Sequence, residues 1–526
     1  MEKPVNTGHM GQKFSQKQAE SIKNSPYGNC RTLIGRARTL GGKVRTLGGK
    51  VRTDQLYKPL FYIDIFGLST ALRYSRLLGF SFKRRGASAR WTRFSESPKT
   101  FRSVSQNSLL FGCFFIFRGF AVNLKNQLPI EQAVIKIKPL DAVVNLEVLT
   151  AVSARANQIV ASVRANMLAP EARKIPPVFN SAQMAELMGL EKSAVLYQAN
   201  KGDIPSGHRD GAIRREWSLV EARQAMRAFR KDTLRDPKKS AGVCITVANF
   251  KGGVGKTTTA VTLAQGLSRR GHKVLVVDCD PQGSMTTLFG VLPDTDVQEE
   301  QTILPLCAGE TDSVMSAIRP TYWDGIDLIA AAPLLFNAEF LLPSRQKQER
   351  DFAFWRVLDS GLDEARAEYD VIIIDSPPSL GYITINALIA AQGIVMPLPP
   401  NALDFASSAQ FWNLFTEVCG GLFQSRGDSK NFHFLDIVLS RVDRSDTVSE
   451  AVRQWIVAAY GANVLPIEIP KTSIAATASA EFGTIYDLPP SAAKSSTMKR
   501  ARDAYDRLVE HIEHQIMSIW AGDISH

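Results

Sequence analysis

Residues 243–259 read VCITVANFKGGVGKTTT, and this stretch decides the fold. A β-branched, apolar run is followed by a glycine-rich loop and then by apolar positions at helical spacing, which predicts a strand, a loop and a helix. Glycines let backbone N–H groups surround phosphate oxygens, and the first turn of a helix adds a partial positive charge. The stretch therefore predicts a phosphate-binding loop that runs into Lys256 and Thr257.

The loop departs from the usual spacing of such loops. The pattern G-x-x-x-x-G-K-[ST] needs a glycine where Phe250 stands. The sequence K-G-G-V-G-K-T is instead the deviant Walker A motif, which has an additional lysine, Lys251, at its start. We expect nucleotide to bind at Gly252, Gly253, Val254, Gly255, Lys256, Thr257 and Thr258. Lys256 would contact the β- and γ-phosphates, and the Thr257 hydroxyl would ligate Mg²⁺.

Two further strand patterns end in carboxylates. Residues 273–277 form a short strand pattern that is apolar after Lys273 and leads to Asp278 and Asp280, and residues 371–374 lead to Asp375. The carboxyl ends of parallel strands face the crevice in which α/β proteins bind ligands. Asp375 has the position of a Walker B aspartate, which lies next to Mg²⁺.

The remaining strand patterns extend this sheet. They occur at 393–397, 434–439 and 464–467, whereas residues 291–350 predict only helices and loops. Strands that alternate with helices indicate a mostly parallel sheet flanked by helices, so residues 243–526 predict an α/β P-loop NTPase domain.

Residues 171–232 predict a helix-turn-helix. A capped helix is broken by Gly189, a second helix covers residues 193–200, and a polar loop, Trp217 and a third helix follow. The pattern resembles the winged helix-turn-helix of the MerR type. The DNA contacts that this resemblance implies are Lys192, Ser193, Tyr197, Asn200, Arg209, Arg214 and Arg215. The second helix contains no arginine, and a plain three-helix packing module is the alternative.

The flanking segments are simpler. Residues 139–170 have apolar positions at helical spacing and predict a helix that either lies on its own domain or pairs with a second copy. Residues 233–242 predict a linker between the helix-turn-helix and the NTPase domain.

Positive charge is concentrated at the start of the chain. Residues 1–120 carry 22 Lys/Arg and 5 Asp/Glu, whereas the whole chain has a formal charge of +12, so the remainder is mildly acidic. Residues 38–44 and 45–51 are identical heptapeptides, RTLGGKV. Residues 1–138 are therefore expected to be either a disordered basic arm or translated upstream DNA, since tandem DNA repeats give such exact copies.

Three motifs in order, KGGVGKTTT, VLVVDCDPQGS and YDVIIIDSPPSLGYITINAL, resemble the ParA family of DNA-segregation ATPases. The preceding helix-turn-helix resembles the larger plasmid-partition subgroup. The resemblance implies ATP and Mg²⁺ as cofactors, a nucleotide-sandwich homodimer, DNA and a ParB-like centromere-binding protein as partners, and a cytoplasmic location on the nucleoid.

The resemblance also implies roles for particular side chains. Lys251 would reach across the dimer to the partner's ATP, much as an arginine finger does. Asp280 would position the attacking water, and Asp278 would lie in the second coordination shell of Mg²⁺. Arg441 and the loop 469–473 would lie near the adenine.

Two alternative functions stay open. One is an ATP-regulated, site-specific regulator of transcription or replication, and the other is a MinD-like positioning ATPase on a membrane. The C-terminal helix has an apolar stripe, but Asp503, Asp506, Glu510 and Glu513 on its other face would be repelled by an anionic membrane. We therefore expect it to pack on its own domain. Six cysteines without a C-x-x-C pair predict reduced thiols, in keeping with a cytoplasmic protein.

Overall fold

The computed structural model describes residues 80–85, 88–93, 144–167, 174–210, 214–424, 429–471, 483–487 and 496–522. In the N-terminal part, β1 (Phe80–Arg85) and β2 (Ser88–Arg93) form an antiparallel hairpin. The heptapeptide repeats lie outside the described residues, so the interpretation of residues 1–138 stays a prediction.

A 22-residue helix, α1 (Leu146–Met167), lies within the segment 139–170. The large apolar side chains that it exposes to solvent are Leu146, Val148, Leu149, Val152, Ile159 and Val160. Pairing of this helix with a second copy stays a prediction, and sedimentation without nucleotide would measure it.

Residues 174–230, which we call the N-terminal unit, combine three helices with a small sheet. The elements are β3 (Phe179–Asn180), α2 (Ser181–Met188), α3 (Lys192–Lys201), β4 (His208–Asp210), β5 (Arg214–Trp217) and α4 (Leu219–Phe229). Asn180 caps α2 by accepting hydrogen bonds from two backbone N–H groups, and Gly189, at a φ of +64°, ends that helix. Strands β4 and β5 form an antiparallel hairpin, and β3 pairs with the other edge of β5. Trp217, the last residue of β5, is fully buried.

The described residues between 243 and 522 form the domain that follows the N-terminal unit, and this domain is built on an eight-stranded sheet. Its strands are β6 (Val243–Val247), β7 (Val274–Asp278), β8 (Arg319–Pro320), β9 (Ile326–Ile329), β10 (Val371–Asp375), β11 (Gly393–Leu398), β12 (Phe434–Val442) and β13 (Val464–Pro470). The spatial order is β13-β12-β11-β6-β10-β7-β9-β8, and only β8 is antiparallel to its neighbour. The predicted α/β fold with a mostly parallel sheet is confirmed.

Helices cover both faces of the sheet. They are α5 (Lys256–Arg269), α6 (Ser284–Leu288), α7 (Leu304–Ala308), α8 (Ala338–Gln348), α9 (Val357–Gly361), α10 (Asp363–Glu368), α11 (Tyr382–Ala390), α12 (Ala402–Gln424), α13 (Thr447–Tyr460) and α14 (Ser496–Ala521). Short 3₁₀ turns lie at Glu299–Gln301, Met315–Ala317, Pro333–Asn337, Phe354–Arg356 and Gly461–Asn463. Because side chains alternate along a strand, Ile245 packs in the core with α5 and α14, and Cys244 packs in the core on the opposite face.

One expectation about the sheet was incomplete. Residues 291–350 were predicted as helices and loops, yet they supply β8 and β9, which extend the sheet beyond β7. Both strands are short, at two and four residues. Sequence periodicity cannot distinguish runs of that length from loops.

Three arginines join the N-terminal unit to the end of α5. Arg223, Arg227 and Arg230 are spaced four and three residues apart, so they lie on one side of α4 and its C-terminal end. Arg223 donates to the carbonyls of Ser268 and His272 at 2.9 and 3.0 Å, and the other two donate to residues 271 and 270 at 2.7 and 2.9 Å. Ser268 lies in the last turn of α5, where carbonyls lack partners within the helix and carry a partial negative charge, and residues 270–272 follow directly after it. The guanidinium groups supply both the donors and the opposite charge.

The segment 233–242 also contacts the domain that is built on the eight-stranded sheet. Arg235 has a side chain that is 1% exposed, and its guanidinium pairs with Asp370 at 2.9 Å. It also donates to the backbone carbonyls of Ser240, Arg366 and Ala367. This segment is thus held against the domain that follows it.

The C-terminal helix packs on its own domain, as expected. Its apolar stripe is buried in the core that contains α5, and the buried members are Tyr505, Leu508, Val509, Ile512 and Ile516. Glu513 was placed on the charged outer face, and this was wrong, because its side chain is only 1% exposed. Within the described part of the chain, no helix is long and apolar enough to cross a membrane.

Three basic side chains surround the buried Glu513. Arg230 and Arg270 each approach one of its oxygens to 2.6 Å, and the ring nitrogen Nε2 of His272 lies 2.6 Å from the same oxygen as Arg230. Burial opposes ionisation, but the hydrogen bond with His272 and the charges of His272, Arg270 and Arg230 together lower the pKa of Glu513 to about 2. The cluster joins α14 to the ends of α4 and α5.

We predict that Glu513→Gln lowers the free energy of unfolding near pH 7 by about 3 kcal/mol, because the carboxylate ionises more easily in the folded state. Because the pKa is lowered in the folded state, the carboxylate contributes its full stability at pH values above 4.5, its pKa in the unfolded chain. This contribution is lost as the pH falls towards about 2, its pKa in the folded protein. Urea unfolding should therefore show the difference from wild type shrinking with acidification. Glu510→Gln, at an exposed position on the same helix, is the matched control. A difference that does not change with pH would contradict this origin.

Candidate nucleotide-binding site

The glycine-rich loop has the backbone shape of a phosphate cradle. Gly255, at a φ of +99°, stands immediately before α5, and Gly253 also has a positive φ. Any residue with a Cβ would be strained at both positions. Two side chains of β12 hold the loop from outside: Arg441 Nη1 donates to the carbonyl of Gly253 at 2.5 Å, and Ser440 Oγ donates to that of Val254 at 2.9 Å.

The sheet brings the predicted carboxylates together. Strand β10 lies between β6 and β7, and its last residue, Asp375, is in register with Val247 on one side and Asp278 on the other. The phosphate loop begins at Lys251, four residues after Val247, so both carboxylates lie beside it at the carboxyl edge of the sheet. This is the place where parallel sheets bind ligands.

Asp375 is a buried acid whose carboxylate makes no hydrogen bond of normal geometry. Its side chain is fully buried. Burial raises the pKa of Asp375 well above its ordinary value, the charge of Asp278 raises it further, and Thr257 and Lys256 lower it in part. A buried carboxylate in this position favours a cation.

Asp278 differs from Asp375 because both of its oxygens already accept hydrogen bonds. One accepts from the N–H of Asp280 at 3.2 Å, and the other accepts from the N–H and hydroxyl of Thr286 at 2.9 and 2.7 Å. Burial raises the pKa of Asp278 to about 7, although the Thr286 hydrogen bonds oppose that shift. A carboxylate with occupied oxygens suits the second coordination shell of a metal, and Thr286 was not found from the sequence.

Lys256 and Asp280 complete the crevice. Lys256 is 6% exposed, and its ammonium donates to the carbonyl of Lys251 at 3.1 Å. Burial lowers the pKa of Lys256, while the charges of Asp375 and Asp280 oppose that shift. Burial raises the pKa of Asp280, whereas the hydrogen bond from the N–H of Gln282 and the charge of Lys256 lower it in part. Asp280 is partly accessible to solvent.

The ammonium of Lys251 points away from the buried carboxylates and towards α12. Its ammonium lies 2.5 Å from a carboxylate oxygen of Asp404, in the first turn of α12. Its backbone N–H donates to the side chain of Asn249, which in turn donates to the carbonyl of Pro397 at the end of β11. The two lysines of the motif therefore have different surroundings: Lys256 faces the buried carboxylates, and Lys251 faces α12.

These residues fit Mg²⁺ bound together with nucleotide phosphates. The described residues contain no group of three or more His, Cys, Asp or Glu side chains that would enclose a metal alone. Mg²⁺ in nucleotide sites takes one or two protein oxygens and completes its shell with phosphates and water. Asp375, with its unpartnered oxygens, and the Thr257 hydroxyl would hold it here, and the metal would supply charge neutralisation at the phosphates.

The predicted DNA contacts lie on α3 and the β4–β5 hairpin. Lys192, Ser193, Tyr197 and Arg209 are exposed to solvent. Asn200 accepts a hydrogen bond from Arg215 at 3.0 Å, which ties the hairpin to α3. The side chain of Arg214 lies outside the described residues.

Comparison with known proteins agrees with this site. Residues 242–422 match a family model described as an AAA domain. Protein SopA of Escherichia coli (strain K12) is 31% identical, over 60% of this chain and 82% of SopA. The chromosome partitioning protein ParA of Caulobacter vibrioides (strain NA1000 / CB15N) is 31% identical, over 50% of this chain and 94% of that protein. A solved structure entitled Partition Protein shares the fold, with a TM-score of 0.50 and 19% identity over 71% of this chain and 99% of that one.

The fold and the phosphate loop define a P-loop ATPase. The coverage and identity of its relatives then show that the chain belongs to the ParA family of partition ATPases. The match to SopA covers more of the chain than residues 243–526 contain, so it also includes sequence before the ATPase domain.

We predict that Asp375→Asn stabilises the nucleotide-free protein by about 1–3 kcal/mol, because it removes a buried acid that makes no hydrogen bond of normal geometry. The same change should abolish the Mg²⁺-dependent gain in ATP affinity. Asp370→Asn is the matched control, since Asp370 is also buried but accepts hydrogen bonds from Arg235 and from the N–H of Lys273. It should destabilise the protein in thermal unfolding. Equal losses of stability in the two variants would contradict this account of Asp375.

Proposed function

We propose that this partition ATPase dimerises when it binds ATP and Mg²⁺, that the dimer binds DNA, and that a ParB-like centromere-binding partner accelerates hydrolysis and so releases it. ATP would favour the dimeric state only by the difference in its affinity for the two states. The protein would then act in the cytoplasm, on the nucleoid.

The observation that carries the proposal is the separation of the two lysines. Within one chain, the ammonium of Lys256 lies in the crevice beside Asp375 and Asp280. The ammonium of Lys251 is instead paired with Asp404, and the Lys251 side chain is partly exposed. A second chain that docks over the crevice would bring its own Lys251 to the phosphates. A charge supplied in this way makes hydrolysis depend on dimerisation.

The remaining site residues take the following roles in this proposal. Lys256 and the loop N–H groups bind the β- and γ-phosphates, Asp280 orients the attacking water, and Asp278 orients the shell around Mg²⁺. Arg441 holds the phosphate loop through Gly253, and we infer that it also borders the nucleotide.

The N-terminal unit supplies a candidate DNA reader. Helix α3 presents Tyr197, which is 68% exposed, on a short helix that ends beside the β4–β5 hairpin. An exposed helix beside a basic hairpin fits a major groove with its flanking phosphates, and binding of the operon's own operator would give autorepression. A DNase footprint that disappears in Tyr197→Ala, while ATP turnover persists, tests this reading.

We predict weak ATP turnover that rises when DNA and a ParB-like partner are added together. Lys251→Ala and Asp280→Ala should each lower the stimulated rate by at least about 100-fold, because each removes a group that acts at the reacting phosphate. Lys239→Ala, which changes a surface lysine that is 82% exposed, is the matched control and should keep the wild-type rate.

A different result would favour the regulator hypothesis. If ATP changed only the footprint on one operator, and the partner left turnover unchanged, the protein would be a nucleotide-dependent regulator. A MinD-like role would instead require ATP-dependent binding to anionic vesicles. The burial of the apolar stripe of α14 argues against it, since that stripe packs on the protein itself.

A further inference from the structure

The ion pair between Lys251 and Asp404 has the features of a restraint. Asp404 is largely buried, with 9% of its side chain exposed, whereas the Lys251 side chain is 38% exposed. The carboxylate is therefore fixed by the protein, and the lysine is the mobile member of the pair. Asn401 fixes the start of α12 by accepting hydrogen bonds from the N–H groups of Leu403 and Phe405.

The surroundings keep the pair at one place beside the phosphate loop. Phe250, directly before Lys251, packs on Phe411 of α12 with ring centroids 6.3 Å apart. The Asn249 side chain links the backbone of Lys251 to the end of β11. Because backbone and helix are both held, the Lys251 side chain can move away from Asp404 without any change in the loop.

We propose that Asp404 is a positioning residue that holds Lys251 until a second chain offers its ATP. This inference rests on the proposed dimerisation. The phosphates of bound ATP carry several negative charges, and Asp404 carries one, so the lysine moves only when a partner loaded with nucleotide is close. Asp404 thereby raises the protein concentration at which the dimer forms and keeps Lys251 from pairing with other anions.

The test measures ATP turnover per protomer against protein concentration for the full chain, with DNA present. Asp404→Asn should lower the half-maximal concentration roughly three- to fivefold, as expected for loss of a partly exposed ion pair. Asp404→Glu, which keeps the charge, should return the midpoint towards wild type. Asp436→Asn is the matched control, since Asp436 is another buried aspartate, paired with His511, and its loss should leave the midpoint unchanged.

A second readout does not depend on turnover. In this experiment the nucleotide-free protein is treated with an amine-acylating reagent, and the modified lysines are mapped. Lys251 should react faster in Asp404→Asn than in wild type, relative to Lys239 in the same sample. Equal reactivity, or a midpoint that coincides with wild type, would overturn the proposal. If wild-type turnover per protomer did not depend on concentration, the proposed dimerisation itself would fail, and with it the restraint.

Discussion

The buried carboxylate of Asp375 is the constraint on which the rest of the site depends. Register places it between the phosphate loop and Asp278, away from water and without a hydrogen-bond donor of normal geometry. Such an arrangement is costly in a protein that never binds a cation there. Asp278 is satisfied by Thr286 and Lys256 is turned towards the acids, so Asp375 is the group left for Mg²⁺. The structure is thus prepared for a metal and phosphates together.

Helix α5 connects this chemistry to the rest of the protein. Its first residue, Lys256, faces the crevice, and its last turn and the residues directly after it accept hydrogen bonds from Arg223, Arg227 and Arg230 of the N-terminal unit. Glu513 of α14 ties the same end through Arg230 and Arg270. The nucleotide loop and the candidate DNA reader are therefore attached to opposite ends of one 14-residue helix. Movement of one chain against another would carry the reader with it.

Local sequence predicted the parts of this structure that depend on local physics. The phosphate loop, the strands ending at Asp278 and Asp375 and the α/β fold all follow from glycine spacing and apolar runs. Contacts between residues far apart in the sequence were missed, because the spacing of apolar residues along a helix or strand contains no information about them. Arg223 meets Ser268 across 45 residues, and Lys251 meets Asp404 across more than 150. Glu513 was misplaced for the same reason, because helical periodicity cannot reveal that other elements bring Arg230, Arg270 and His272 to it.

The central claim is that Lys251 acts in the active site of another chain, and mixing two inactive variants tests it most directly. Lys251→Ala keeps its own Asp280 but lacks the lysine, whereas Asp280→Ala has the lysine but cannot orient water. In a mixed dimer the Lys251→Ala chain would receive Lys251 from its partner and hydrolyse ATP. The account predicts that mixing restores turnover in one of the two sites of each mixed dimer. Turnover that stays at the level of the separate variants would show that Lys251 acts within its own chain.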